Sequence, residues 1–337
     1  MLYSSCDEPL LRMVVARFRE RTSIDIRVVG DTEATKTIGL MQRLLAEKQN
    51  PRADVWWSNE LLSTLRLDKA GLLDPNVNTP ALAGPGDRAW PEHLRSPAGT
   101  WHAFALRARV IAFHTQRIGR EQAPTTLASL TQERWRGRVG MARAQFGTTR
   151  TQMAAIAALD GEAALGGWLR AMRENRVKLY DGNSSVVRAI AQREIDLGLT
   201  DTDDVYAGIR EAWPVDMVYE SVEDALALPG GDGLGDRSSG VAALPRSRGP
   251  LTIPNSVAKI ANGPNPEHAR TLIDFLLSPE VERLLAESDS RNTPIHPEVA
   301  KDFLPYTIPD PMMVEGEKLL AADDGAQRIV ETELRGM

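Results

Sequence analysis

The 337 residues are 42% hydrophobic and 26% charged, with a formal net charge of −6, the composition of an ordinary globular protein long enough for two cores. With no long block of Lys or Arg, the sequence argues against nucleic acid as the main partner, and no run reaches the roughly 20 apolar residues that span a bilayer. The single cysteine, Cys6, excludes an intramolecular disulfide and a multi-cysteine metal site; beside a first strand it reads as a small buried thiol rather than a nucleophile.

Met1 to Ser5 carry neither the charged nor the apolar region of a signal peptide. Two readings remain, a cytoplasmic protein or an exported one (periplasmic or cell-surface) whose signal lies outside this sequence; Leu2 and Tyr3 read as the middle of a buried strand, which favours the second.

Residues 8–21 place Leu10, Leu11, Val14, Val15 and Phe18 on one helical face, with Pro9 in a first turn that does not need its N–H. A strand at 24–29, a helix at 35–47, a strand at 53–57 and a helix at 62–70 follow. Residues 75–91, rich in Pro and Gly, form a loop. The apolar run Val110 to Phe113 makes 107–114 a strand that carries the chain into a second lobe. There, strands at 137–142, 177–180, 195–200 and 216–219 alternate with helices at 149–159, 161–175, 185–192 and 203–211, an α/β pattern. Residues 229–240, with five glycines, read as an exposed loop. Apolar segments at 239–244 and 251–260 return the chain to lobe one, and 265–287 form a helix pair. The helical remainder is expected to pack across lobe one.

Several segments, in order and spacing, resemble the ferric-iron-type periplasmic solute-binding proteins of ABC importers, within the type-2 binding-protein class. They are Tyr3-Ser4-Ser5, Thr22-Ser23-Ile24-Asp25-Ile26, Ala53-Asp54-Val55-Trp56-Trp57-Ser58, Arg107-Ala108-Arg109-Val110, Gly161-Glu162-Ala163-Ala164, Asn183-Ser184-Ser185-Val186, Glu194-Ile195-Asp196, and 274–280. The resemblance covers the chain up to about residue 295. It implies an α/β clamshell, each lobe a mixed sheet flanked by helices and joined by crossing hinge strands. Residues 1–106 and 241–337 would form lobe one and 107–240 lobe two, with the ligand cleft between them. It also implies a monomeric receptor, not an enzyme, that closes on a small-molecule or metal ligand and delivers it to a membrane permease.

In the resembling ferric-binding proteins adjacent tyrosines, a His and a Glu hold the metal. Here the tyrosine pair falls on Asp203 and Asp204, the His on Asp7, and the Glu on Asn59 beside Glu60, with Tyr206 out of register. The run Thr200 to Asp204 stands at a strand's C-terminal end, where open α/β sheets place ligands. Helix capping by Asp201 or Thr202 competes, but one cap leaves acids in surplus. Carboxylate oxygens suit a hard cation or a ligand's ammonium. The metal set is therefore Asp7, Glu60, Asp203 and Asp204, holding iron or another hard cation as cargo; no catalytic cofactor is expected.

Gly147-Thr148-Thr149 and Asn183-Ser184-Ser185 each precede a helix, whose free N–H groups favour an anion. Arg107 or Arg109 would add a charged fork, so Thr148, Thr149, Asn183 and Ser185 join Ser4, Ser5 and Asp201 as ligand residues. Trp56 and Trp57 end a strand, where an aromatic face could hold an organic cation, although one core and one rim tryptophan is the commoner arrangement. Trp57 is the ligand candidate. The five histidines show no paired metal-ligand spacing. The alternative ligand is a small zwitterion such as an aminophosphonate, and an enzyme using carboxylate acid/base chemistry is the rival from another class.

Overall fold

The elements follow from the apolar periodicity. In chain order they are β1 (Leu2–Ser4), α1 (Glu8–Thr22), β2 (Val28–Gly30), α2 (Ile38–Ala46), β3 (Val55–Ser58), α3 (Leu62–Lys69), β4 (Trp101–His114), β5 (Val139–Ala142), α4 (Gly147–Asp160) and α5 (Glu162–Glu174). Then come β6 (Lys178–Tyr180), α6 (Asn183–Ala191), β7 (Leu197–Asp201), α7 (Thr202–Arg210), β8 (Val215–Val218), β9 (Thr252–Lys259), α8 (Pro266–Leu276), α9 (Pro279–Glu287), α10 (Pro297–Ala300) and α11 (Gly316–Glu333). The structure, a computed structural model, describes residues 1–31, 37–74, 90–222 and 244–337. The expected loops at 75–91 and 229–240 lie almost wholly outside the described residues.

The chain divides into two units: Met1–Arg107, Phe146–Thr148 and Ile253–Thr307 form the first, and Ala108–Gln145, Thr149–Thr252 and Ile308–Met337 the second. In the first, β1 runs parallel to β2 and β3, and β3 pairs antiparallel with β9 (Val55 opposite Lys259, Ser58 opposite Ser256). Helix α1 buries Leu11, Val14 and Phe18, with the Phe18 ring 5.4 Å from that of Phe275 on α8. Its end is set by Ser23, which adopts the left-handed conformation (φ 58°) and returns its N–H to Arg19, a common helix stop.

In the second unit β7 lies between β4, antiparallel, and β5, parallel; β6 extends β5 in parallel, and β8 pairs with β4. Helix α6 approaches β7 closely because Gly198 has no side chain: a Cβ there would meet Val186 Cγ1 at 2.3 Å.

Two expectations are corrected. Strand β4 begins at Trp101 rather than 107, since Trp101, Ala103, Phe104 and Ala105 are all buried. Of the C-terminal segment, residues up to Thr307 lie in the first unit as expected, but α11 belongs to the second: Ala326, Val330 and Leu334 join Leu165, Trp168 and Leu169 in that unit's core. The apolar stripe of α11 needs a partner, and the small residues Ala163, Gly166 and Gly167 of α5 allow close approach, with Gly166 under Ile329. An Arg150–Asp323 ion pair fixes the docking.

Candidate functional site

Strand register creates the centre of the second unit's polar cluster. Arg109 on β4 stands directly opposite Asp201 on β7, so the two side chains share a sheet face. Arg109 Nη1 donates to Asp201 Oδ1 at 2.7 Å, and both side chains are at most 3% exposed. Asn183, at the start of α6, accepts from Arg109 Nη1 at 3.1 Å and donates through Nδ2 to Asp201 Oδ2 at 3.0 Å. Gln152 on α4 accepts the Nε–H of Arg109 at 3.0 Å.

Two of the capping alternatives are not used. Asp201 occupies the N-cap position of α7 without a side-chain cap bond. Thr202 Oγ1 instead accepts the N–H of Ala108. The first turn of α7 then carries Asp203, buried, and Asp204, half-buried. One carboxylate oxygen from each of Asp201, Asp203 and Asp204 lies within 4.8 Å of the others, the one such group of three potential metal-binding side chains among the described residues. Like charges this close are held by a shared cation, a proton or donors, and Arg109 and Asn183 already serve Asp201.

The anion group fares differently. Thr148 and Thr149 are buried in the first turn of α4, and Ser185 is half-buried on α6. Thr149 Oγ1 has no hydrogen-bond partner among the described residues. Arg109, one of the two residues expected to supply a charged fork, bonds Asp201 and Asn183 through Nη1 and Gln152 through Nε.

In the first unit, Ser4, Ser5, Asn59 and Glu60 stand at the C-terminal ends of β1 and β3. Ser5 Oγ donates to Asn59 Oδ1 at 3.1 Å and accepts the Asn59 N–H at 3.2 Å; Ser4 Oγ accepts the Cys6 N–H. Arg107, buried, donates through Nη2 to the carbonyl of Asn59. The Glu60 carboxylate accepts the Ser63 N–H in the first turn of α3 at 3.1 and 3.3 Å. Asp7 is half-buried at the N-cap of α1 and makes no cap bond.

The tryptophan expectation is also corrected. Trp56 and Trp57 are both core, 0% and 1% exposed, with their indole N–H groups donated to Thr64 and Asn255. Neither presents a rim face to a ligand. Tyr206 packs partly buried on the core of α6 and α7 and hydrogen-bonds to Tyr219, whose hydroxyl is pushed up in pKa by burial.

Gln152, which joins this cluster, was not among the residues expected from the sequence. The signal for Gln152 was available: it lies three positions after Thr149 on one face of α4. Asp201 stood among the expected ligand residues but outside the metal set, because the resemblance matched the tyrosine pair to Asp203 and Asp204.

Two mixed α/β units, each a sheet flanked by helices, are the architecture of the two-lobed periplasmic binding proteins. The chain belongs to the bacterial extracellular solute-binding protein family, whose profile matches residues 2–288, a family of transport receptors rather than enzymes. It is 27% identical over 291 residues to Iron uptake protein A1 of Synechocystis sp., covering 86% of this chain and 73% of that one. Iron-bound HitA from Pseudomonas aeruginosa superposes with a TM-score of 0.78 at 20% identity, over 100% of this chain and 98% of the other. A Trichodesmium protein in complex with iron and citrate has a TM-score of 0.75 at 19% identity, with 98% of each chain covered. These two structural likenesses establish the fold. No described helix is long and apolar enough to cross a membrane.

Proposed function

We propose that this protein is the receptor of an ATP-driven importer and binds a hard cation, ferric iron first among the candidates, through Asp201, Asp203 and Asp204. The observation that carries this is the convergence of three carboxylate oxygens within 4.8 Å. Two oxygens on one ion are separated by at most twice the metal–oxygen distance. Oxygens this close can share one ion, and an all-oxygen set suits a hard cation. The iron-binding names of its relative and structural neighbours agree with the choice.

The zwitterion alternative gives the ligand's acidic end to Thr148, Thr149, Asn183 and Ser185 and its ammonium to the carboxylates. Asn183 is bonded to Asp201, and the three gathered carboxylates favour the cation reading over it. Action outside the cytoplasm as a monomer, delivery to a membrane permease, and hinge closure on the ligand belong to the same proposal. Closure is read as a fall in radius of gyration on loading.

The test is the double variant Asp203→Ala/Asp204→Ala, with folding followed by circular dichroism and bound metal by mass spectrometry. The expected result is a folded protein that has lost its metal. Unchanged affinity would sink the assignment.

A further inference from the structure

We propose that Asp201 is a built-in anion: a tethered carboxylate seated on donors that would otherwise receive a small free anion beside the cation, so that the cation binds without one. The geometry carries this. Each Asp201 oxygen has its own donor, Oδ1 from Arg109 and Oδ2 from Asn183. Arg109 is held in turn by Gln152 and by the carbonyl of the Asn183 side chain. The donor set is a guanidinium plus an amide at the start of a helix, the chemistry that receives small anions.

A carboxylate oxygen has two lone pairs, so an oxygen that accepts from a donor can still offer its other side to a metal. An Asp201 oxygen lies within 4.8 Å of ligand atoms of both Asp203 and Asp204, the bridging position of an anion shared between protein and cation. Asp201 makes no cap bond to α7, so helix capping does not explain its placement.

The inference rests on the acidic cluster being the cation site, but its first test does not. Calorimetric titration of sodium formate into the metal-free protein asks whether removing Asp201 opens an anion seat. Asp201→Ala is expected to bind formate saturably, whereas the wild type and Asp201→Asn, whose amide fills the seat, do not. If Asp201→Ala folds only when formate is present, that is the same result. Absence of any formate effect on Asp201→Ala, with Asp201→Asn folded, overturns the proposal.

The second measurement uses terbium(III), a hard trivalent probe that needs no carrier chelate. Wild-type affinity should be indifferent to formate. Asp201→Ala should bind roughly tenfold to a hundredfold more weakly, as for one lost charge-assisted ligand, and recover in saturating formate. A wild-type affinity that rises with formate overturns the built-in anion. Formate binding to Asp201→Ala with no terbium binding to the wild type keeps the seat and removes the cation reading instead.

Discussion

The carboxylate of Glu282 on α9 accepts the backbone N–H of Ala105 at 3.1 Å, and Ala105 stands in the middle of β4 with φ at +45°. A left-handed alanine costs about 1–2 kcal/mol. It persists because Glu282 holds its N–H and Asn255 donates to its carbonyl at 2.8 Å. The other Glu282 oxygen accepts from Ile295 and His296, both at 2.7 Å. This fully buried carboxylate thus ties three chain segments together two residues before Arg107.

Removing it leaves three backbone N–H groups without their acceptor. Glu282→Ala is expected to cost about 3–5 kcal/mol or more, each orphaned donor contributing about 1–3. Ala105→Gly should be close to neutral, because glycine adopts positive φ freely, whereas Ala103→Gly in the same strand should cost about 1 kcal/mol. Denaturant unfolding compares the two glycine variants. Equal losses would mean that Ala105 stores no strain.

How far the sequence could be read follows from which interactions are local. The amphipathic face of α1, the strand at Trp56 and Trp57, and the acidic run after β7 are visible because each is written in a few consecutive residues. The pairing of Arg109 with Asp201 spans 92 positions, and a strand's two-residue period gives no hint of its partner's register. Trp57 could not be placed in the core without knowing that Asn255, 198 residues away, receives its N–H. The docking of α11 was equally hidden, since an apolar stripe announces that it must be covered and not by what.

That docking makes a second expectation. Asp323 on α11 is fully buried and accepts from Arg150 Nε and Nη2 at 2.9 and 3.0 Å. Arg150→Ala removes the guanidinium that forks onto this buried carboxylate and should cost about 3–5 kcal/mol. Replacing both partners, as Arg150→Met/Asp323→Leu, should recover most of the loss, because two apolar groups need no counter-charge. Thermal unfolding of the single and double variants decides it. A double variant as unstable as the single one would show that the pair does more than hold the helix down.

His102 on β4 supplies the third, and it concerns acid. Its side chain is buried, and its Nδ1 has no hydrogen-bond partner among the described residues. Burial, assisted by the nearby charge of Arg95, pushes its pKa down to about 4 from 6.5. The imidazole is therefore neutral in the folded protein, while the unfolded chain takes up a proton as the pH falls below 6.5. In that window the unfolded state binds more protons, so stability drops with falling pH. The contribution is complete above 6.5 and is lost by the time the pH passes 4. A difference of that size is worth about 3 kcal/mol at most. His102→Gln has no proton to take up, so its stability should decline less steeply between pH 6.5 and 4 than the wild type's, with the two curves parallel above pH 7. Urea midpoints at half-unit pH steps measure both slopes. Identical slopes across the window would show that His102 is protonated in the fold as readily as in the unfolded chain.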